Sequence, residues 1–241
     1  MRRALSFLTL FGRASAPNRN TLAWFPVAGA LIGLALGAIW WLAAEAWPPM
    51  IAAAVVVVAD LVITGCLHFD GLADAADGLL APMSRERRLQ AMADPAIGAF
   101  GAVGVGAILL LRFGSLAALR PAPLMLGGLW CASRTSMAIM TQTLTYVRPT
   151  GLVRDFIGAQ PRGVLQRAVL PGALVAGLFL SVALVVGGRG GRGLLALGGE
   201  LVAMSAVAEF SRRRIGGFTG DVLGAAGVMG ETVGLLILVA R

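Results

Sequence analysis

HFDGLADAADG, residues 68–78, interrupts a chain that is otherwise strongly apolar. Its acids, Asp70, Asp74 and Asp77, are spaced i, i+4 and i+7, so on a helix they share one face. Three carboxylates on one face repel each other and favour a bound cation, of which a divalent metal ion is the simplest. The stretch therefore predicts a metal site on a helix. A helix start that carries solvated acids is the alternative.

The rest of the chain has the composition of a membrane protein. Of its 241 residues, 58% are hydrophobic and only 13% are charged, whereas soluble domains are about 25% charged. Apolar runs reach the ~20 residues that a membrane span needs. A large soluble α/β enzyme with buried strands is the alternative, and the length of these runs argues against it.

We predict an all-α, polytopic membrane helix bundle with about seven spans (six to eight), preceded by a short interfacial helix. Ser84 is predicted to be the N-cap of an amphipathic helix that reaches Ala93. Arg148–Arg167 reads as a polar loop, Gly187–Gly193 as a flexible connection, and residues 1–241 as a single domain. The predicted spans are Trp24–Ala44, Met50–Phe69, Ala96–Ala118, Leu124–Tyr146, Ala168–Val186, Leu194–Phe210 and Val222–Ala240.

The basic residues predict the orientation. All 20 are Arg, and the net charge is +8, which in a membrane protein indicates topology rather than nucleic-acid binding. If the odd-numbered spans run from the cytoplasm to the outside, the N-terminus and most Arg residues are cytoplasmic. Only four Arg residues then lie on the opposite face: Arg120, Arg189, Arg192 and Arg241. The same assignment brings the acids to the cytoplasmic face, so the site should face the cytoplasm: Asp70, Asp74, Asp77, Asp94, Asp155 and Asp221.

Two further segments are candidates for the same site. Asp94 follows the amphipathic helix and could fold back to the metal; an Asp that ends a helix before Pro95 is the alternative. Gly216–Asp221, GGFTGD, precedes the last span, where backbone N–H groups at Thr219 and Gly220 could hold a phosphate. Asp221 would then be a metal ligand or a base. A tight connecting turn is the alternative for this segment.

Charged residues within or beside the spans give the remaining candidates. Arg134 lies in an apolar span, where a charge is costly and faces the bundle interior, and Arg148 could bind phosphate bidentately. Structural pairing is the alternative for Arg134, and a solvated loop position is the alternative for Arg148. The same reasoning applies to four further acids, which are either functional candidates or structural partners of an Arg: Asp60, Glu200, Glu209 and Glu231.

The type of ligand predicts a hard cation. Carboxylate oxygens suit Mg²⁺, with Mn²⁺ as a substitute, and substrate phosphates usually complete the shell. Zinc is disfavoured because His68 is the only histidine and the two cysteines are scattered. His68 itself reads as a structural residue, with a role as a base or as a partner of a ligand as the alternative.

Three separated motifs resemble the cobalamin synthase family of membrane enzymes, the adenosylcobinamide-GDP ribazoletransferases. They are HFDGLADAADG at His68–Gly78, RERRLQAMADPAIG at Arg85–Gly98 and GGFTGDVLGA at Gly216–Ala225. Phe25-Pro26-Val27 and the Arg148 that precedes Gly151 add to the likeness, which covers nearly the whole chain in order.

The resemblance implies a Mg²⁺-dependent transferase of the last step of cobamide assembly. It would join adenosylcobinamide-GDP to α-ribazole or its 5′-phosphate and release GMP. Asp70, Asp74, Asp77 and Asp94 would hold the metal, and Asp70, Asp74, Asp77 and Asp221 would take part in catalysis. Arg134, Arg148, Thr219 and Gly220 would bind phosphate. We expect the lipid bilayer of a bacterial inner membrane as the surroundings, and a homo-oligomer or a complex with other enzymes of the pathway is compatible with this reading.

Two rival functions remain at this point. Asp74–Ala81 fits the opening of the D-x-x-D-G-x-x-A-R pattern of membrane CDP-alcohol phosphotransferases, which make phospholipids, but Pro82 stands where Arg is expected. The rival from a different class is an ion-coupled transporter that uses the intramembrane acids as a relay. The concentration of acids at one interface and the absence of an inverted repeat argue against it.

Overall fold

The structure is a computed structural model that describes residues 1–10, 19–148, 151, 153 and 164–240. These residues form helices and one isolated bridge, between Tyr146 and Phe218, so the predicted all-α membrane helix bundle is confirmed. Most of the predicted loop 148–167 lies outside the described residues. The helices are α1 (Arg2–Leu8), α2 (Arg19–Leu22), α3 (Phe25–Ala46), α4 (Pro49–Thr64), α5 (Leu67–Leu80), α6 (Arg85–Ala91), α7 (Ala99–Ala118), α8 (Pro123–Thr143), α9 (Val164–Ile215) and α10 (Gly220–Val239).

Among the described residues, four helical segments are long and apolar enough to cross a membrane. A fifth is added if α4 and α5 are taken as one broken span. The predicted number of about seven spans and the cytoplasmic N-terminus therefore stay predictions. The four segments are Asn20–Ala46, Ala99–Ala118, Val169–Ile215 and Gly220–Val239.

The longest segment folds back on itself, and the flexible connection predicted at Gly187–Gly193 is wrong. The chain stays helical on both sides of one residue, Gly190, whose φ of 56° and ψ of −136° break the helix. A Cβ on Gly193 would lie 2.2 Å from the carbonyl oxygen of Val185, whereas residues eight apart on a straight helix are ~12 Å apart. The two arms of α9 are therefore joined by a tight turn rather than by a loop.

The second predicted span is too long at its C-terminal end. α4 ends at Thr64, and Gly65 and Cys66 both adopt left-handed φ values of 59° and 58°. After them the chain bends by 89° into α5. The acidic stretch thus occupies a helix of its own, and its 14 residues extend ~21 Å, too short to cross the ~30 Å hydrocarbon core.

A row of glycines brings α3 and α8 into backbone contact. Gly29, Gly33 and Gly37 are four residues apart, so they lie on one face of α3. A Cβ added to any of them would approach the backbone of α8 to 2.3 Å. Small residues at such an interface let helix backbones pack closely, which is a main source of association in a membrane.

A buried network of charges ties four helices together. Arg112 of α7 pairs with Asp60 of α4, and its Nη2 lies 2.8 Å from Oε2 of Glu231 on α10. Glu231 also pairs with Arg134 of α8. The guanidinium of Arg112 stacks over Trp130, 5.1 Å from the ring centroid. Two positive and two negative charges cancel, as burial in a membrane interior requires.

This network corrects the phosphate-binding role predicted for Arg134. The residue is 1% exposed, and its Nη1 bonds to Glu231 and, at 2.8 Å, to the hydroxyl of Ser133. Its partners are therefore structural, as the alternative reading held. The sequence alone could not separate the two roles, because a buried ion pair and a phosphate site both place an Arg in an apolar span.

The acids considered for a transporter relay have different surroundings. Asp60 and Glu231 are held by Arg in the network. Glu209 is at the surface and pairs with Arg212 and Arg213, each at 2.6 Å. Glu200 is fully buried, and its carboxyl oxygens have no hydrogen-bond partner within the described residues. A continuous relay through these four acids is therefore not supported.

The contact between α3 and α8 gives a direct stability test. Gly33→Ala places a methyl group 2.3 Å from the carbonyl oxygen of Leu126, so the two helices must separate. We expect a lower midpoint of thermal unfolding in detergent. Gly106→Ala is the matched control, because a Cβ there meets nothing within 4 Å and Ala favours a helix by up to ~1 kcal/mol. Equal midpoints for the two variants would contradict the packing described.

Candidate active site

The acidic helix α5 crosses the start of α10 at two glycines. A Cβ on Gly71 would lie 2.9 Å from the carbonyl oxygen of Asp221, and one on Gly224 would lie 3.2 Å from Cα of His68. Side chains at either position would push the helices apart. The glycine within the acidic stretch is therefore required for packing, and it sets the aspartates of α5 beside the first turn of α10.

A short extended pairing positions the residues on the other side of the site. The N–H of Phe218 donates to the carbonyl oxygen of Thr145 at 2.9 Å, and the N–H of Val147 donates to that of Phe218 at 3.1 Å. Gly217 makes this possible, because a Cβ there would lie 2.0 Å from the Thr145 oxygen. The pairing holds Arg148, at the end of this segment, next to the turn that begins α10.

Arg148 and Asp221 form an ion pair, with Nη2 and Oδ2 2.9 Å apart. Thr219 donates its hydroxyl to the same carboxylate at 3.1 Å and accepts the N–H of Val222 at 3.3 Å as the N-cap of α10. Arg148 is also fixed by a 2.7 Å bond to the carbonyl oxygen of Met92. The structure thus brings together Arg148, Thr219, Gly220 and Asp221, and their predicted roles in phosphate binding and catalysis stay predictions.

The carboxylates of α5 and α10 repel each other across this crossing. The pKa of Asp74 is raised to about 7, first by burial and then by the negative charges of Asp221 and Asp70, which Arg148 offsets in part. Asp70, Asp74 and Asp221 therefore carry more negative charge than the neighbouring Arg neutralises. A divalent cation bound beside one or two of these carboxylates would relieve the repulsion.

Asp77 and Asp94 make other contacts. Asp77 accepts the N–H groups of Gly98 at 2.7 Å and Gly101 at 2.9 Å, which caps the N-terminus of α7. Asp94 is exposed and accepts the N–H of Ala96 at 2.9 Å. Within the described residues, no three His, Cys, Asp or Glu side chains are placed to hold one metal ion. The predicted set of four aspartates is thus not gathered at one point, and metal binding stays a prediction.

A cavity of about 310 Å³ opens beside the crossing. Its polar lining includes Asp70, Arg148 and Asp221, and the rest of its wall is mainly apolar. Phe7 of α1 and Phe25 of α3 belong to this wall, and sequence reasoning did not assign either to the site. Phe25 belongs to the Phe25-Pro26-Val27 segment of the family likeness, but no spacing in the sequence places Phe7 or Phe25 at the site, so only the packing of α1 and α3 reveals them.

His68 is also part of the cavity wall, and it is deeply buried at 5% exposure. Its pKa is lowered well below the usual value, first by burial and then by the positive charges of Arg134 and Arg112. The imidazole is therefore neutral near pH 7. Its Nδ1 has no hydrogen-bond partner among the described residues, which is uncommon for a buried polar atom.

A bundle of apolar helices with carboxylates, an arginine and a capped helix start around one cavity defines an integral membrane enzyme. The chain belongs to the family described as Cobalamin-5-phosphate synthase, which matches residues 1–239. The predicted family, and with it an enzyme of cobalamin biosynthesis, is confirmed. No solved structure matches the chain.

Curated relatives support this assignment over almost the full length. A protein of Bradyrhizobium diazoefficiens is 37% identical over 100% of this chain and 93% of its own. A protein of Brucella canis is 38% identical over 92% of this chain and 85% of its own. A protein of Chlorobium phaeovibrioides is 33% identical over 95% of this chain and 91% of its own. All three are named adenosylcobinamide-GDP ribazoletransferase.

The repulsion at Asp74 predicts that its charge destabilises the protein when no divalent ion is present. The pKa is about 7 in the folded protein and about 3.9 in an unfolded chain. The loss of folding stability caused by the charge of Asp74 therefore grows as the pH rises from about 4 to about 7 and is constant above that. Asp74→Asn removes it, so the midpoint of thermal unfolding in EDTA should rise, and by more at pH 8 than at pH 5. An unchanged or lower midpoint at pH 8 would contradict the electrostatic reading.

Proposed function

We propose that the protein transfers the adenosylcobinamide phosphate group from adenosylcobinamide-GDP to α-ribazole or α-ribazole 5′-phosphate. A ribose hydroxyl would attack the phosphorus nearer the corrinoid and form a new P–O bond. The P–O bond within the pyrophosphate breaks, GMP leaves, and the proton of the attacking hydroxyl passes to water. The observation that carries the proposal is the convergence of Asp70, Arg148 and Asp221 on one cavity, with Asp74 close enough to feel their charges. The names of the relatives supply the substrates.

Arg148 and the start of α10 would bind the pyrophosphate. The guanidinium is fixed by two partners, and backbone N–H groups at a helix N-terminus favour an anion. Donors that are held in place before the substrate binds need no reorganisation as charge develops on the leaving phosphate. The pair between Arg148 and Asp221 thus supports a preassembled phosphate site.

One or two of Asp70, Asp74 and Asp221 would hold Mg²⁺, or Mn²⁺ in its place, and oxygens of the substrate pyrophosphate would complete the ligand set, because these three carboxylates are not placed to hold one ion by themselves. A bound ion would neutralise charge on the pyrophosphate and on the leaving GMP. Asp221 is also our candidate for orienting the attacking hydroxyl, because it lies at the junction of α10 and the cavity. Asp77 and Asp94 would support the site by fixing the segment from α6 to α7 rather than by binding the metal.

The cytoplasmic face of a bacterial inner membrane is the proposed location of the site. α7 begins beside Asp77 and ends 20 residues later near Arg120, a distance of ~30 Å. Arg189 donates to the carbonyl oxygen of Arg120, so these two Arg residues share the end opposite the site. That arrangement agrees with the distribution of Arg, which predicts that Arg120 and Arg189 lie on the face opposite the site. A homo-oligomer or a complex with other enzymes of the pathway stays a prediction.

The rival functions have less support. The family and the relatives are not described as phospholipid synthases, and Pro82 breaks the corresponding pattern. For a transporter, Asp60 and Glu231 would need to exchange ions, yet both are held by buried Arg. No observation in the described structure favours either rival over the transfer reaction.

Release of GMP by detergent-purified protein tests the proposal. With adenosylcobinamide-GDP, α-ribazole and Mg²⁺, Asp70→Asn and Asp74→Asn should each lower turnover by about 10²-fold or more, because each weakens the binding of the cation that would neutralise the phosphates. EDTA should abolish turnover. Glu209→Gln is the control, since this acid is exposed and paired with Arg212, and it should retain normal rates. Near-normal GMP release by both Asp variants would overturn the assignment.

A further inference from the structure

We propose that an arginine patch beside the site binds the headgroups of anionic phospholipids in the adjacent membrane leaflet. The patch joins the short helix α6 to the C-terminal end of α9, and none of its arginines is among the described residues that line the cavity. The transfer reaction does not require such a ligand, so the inference goes beyond the proposed function. The exposed arginines of the patch are Arg85, Arg87, Arg212, Arg213 and Arg214.

The patch lies where a lipid-facing helix leaves the membrane. The second arm of α9, residues 191–215, exposes large apolar side chains, among them Leu195 at 67% and Val202 at 70%. Exposed apolar surface on a long helix is typical of contact with acyl chains. The apolar part of this arm ends at Phe210, and three consecutive arginines begin two residues later. Arginines in that position lie at the level of the lipid phosphates.

Structural contacts hold α6 against this helix end. Nη1 of Arg88 donates to the carbonyl oxygens of Gly78 and Leu79 at 2.9 and 2.8 Å, which satisfies acceptors at the C-terminal end of α5. A Cβ added to Gly216, the residue that follows α9, would lie 3.5 Å from Cζ of Arg85. The exposed arginines of α6 are thereby set beside those of α9.

The positive charge of the patch exceeds the negative charge around it. Glu209 pairs with Arg212 and Arg213, but the other three arginines of the patch form no ion pair within the part of the chain that the structure describes. The pKa of Arg88 is lowered, first by burial and then by the positive charge of Arg214, so like charges are close together here. Phosphate oxygens would relieve this repulsion and accept hydrogen bonds from the guanidinium groups.

The surroundings of Arg214 favour an amphiphilic anion over a soluble one. Its Cζ lies 5.0 Å from the ring centroid of Phe210, and a guanidinium stacked on a ring can still donate from its edge. Because Phe210 ends the apolar part of the arm, this contact joins the acyl-chain region to the charged patch. A soluble anion would use the charges alone, whereas a phospholipid would also use the apolar surface next to them.

Orientation in the membrane also requires positive charge on one side, but it does not require any particular lipid. Lipid binding predicts that the folded protein prefers anionic to zwitterionic headgroups. A binding measurement on the purified protein therefore separates the two explanations of the patch.

Native mass spectrometry of the full-length protein in detergent tests the preference, with phosphatidylglycerol and phosphatidylcholine of the same acyl chains added in equal amounts. Wild type should bind phosphatidylglycerol at least about tenfold more tightly, because each arginine near an anionic headgroup contributes about fivefold. Arg85→Gln combined with Arg214→Gln should lower this preference at least about fivefold. The matched control, Arg120→Gln combined with Arg192→Gln, removes two exposed arginines outside the patch and should keep the preference.

Replacement by lysine separates the loss of charge from a loss of folding. Arg85→Lys combined with Arg214→Lys should retain most of the preference, because an ammonium group also binds a phosphate as a point charge. Inorganic phosphate and GDP at the same concentration should not displace the lipid, and displacement by either would assign the patch to a soluble ligand and overturn the inference. Equal binding of the two lipids by wild type, a result that needs no variant to fold, would also overturn it.

Discussion

The site depends on the backbone contact between α5 and α10. Gly71 and Gly224 allow the two helices to touch without side chains between them, and only then do the aspartates of α5 and Asp221 lie close enough to repel each other. This crossing sets Asp70 and Asp221 on the cavity wall, and the pairing of Thr145 and Val147 with Phe218 adds Arg148. The glycine that looks incidental within HFDGLADAADG is therefore as important to the site as the acids around it.

The buried charge network ties α10 to three other helices of the bundle. Asp60, Arg112, Arg134 and Glu231 come from four helices and cancel each other's charge. In a lipid environment the hydrophobic effect does not drive helices together, so close packing and buried polar contacts determine how they associate. Removing one member would leave an uncompensated buried charge, at a cost of roughly 3–5 kcal/mol. The network is thus a scaffold for the site rather than a part of its chemistry.

The sequence was sufficient for features that depend on local pattern. The length of the apolar runs predicted the helix bundle, and Ser84 is the N-cap of α6 as expected. The distribution of Arg predicted that Arg148 and Asp221 lie on the same face, although they are 73 positions apart, and the structure shows that they form an ion pair. The sequence failed where a residue has two physically plausible partners. Asp77 caps a helix and Arg134 pairs with a carboxylate, and neither spacing nor burial could distinguish these contacts from metal or phosphate binding.

The central claim is that carboxylates from α5 and α10 act as one site, and a double-mutant cycle on GMP release tests it directly. Asp74→Asn and Asp221→Asn should each reduce turnover strongly. If the two residues act as a unit, the double variant should be no slower than the slower single variant, because the first substitution already disables the shared site. A double variant whose loss equals the product of the two single losses would show that the residues act independently and would contradict this account.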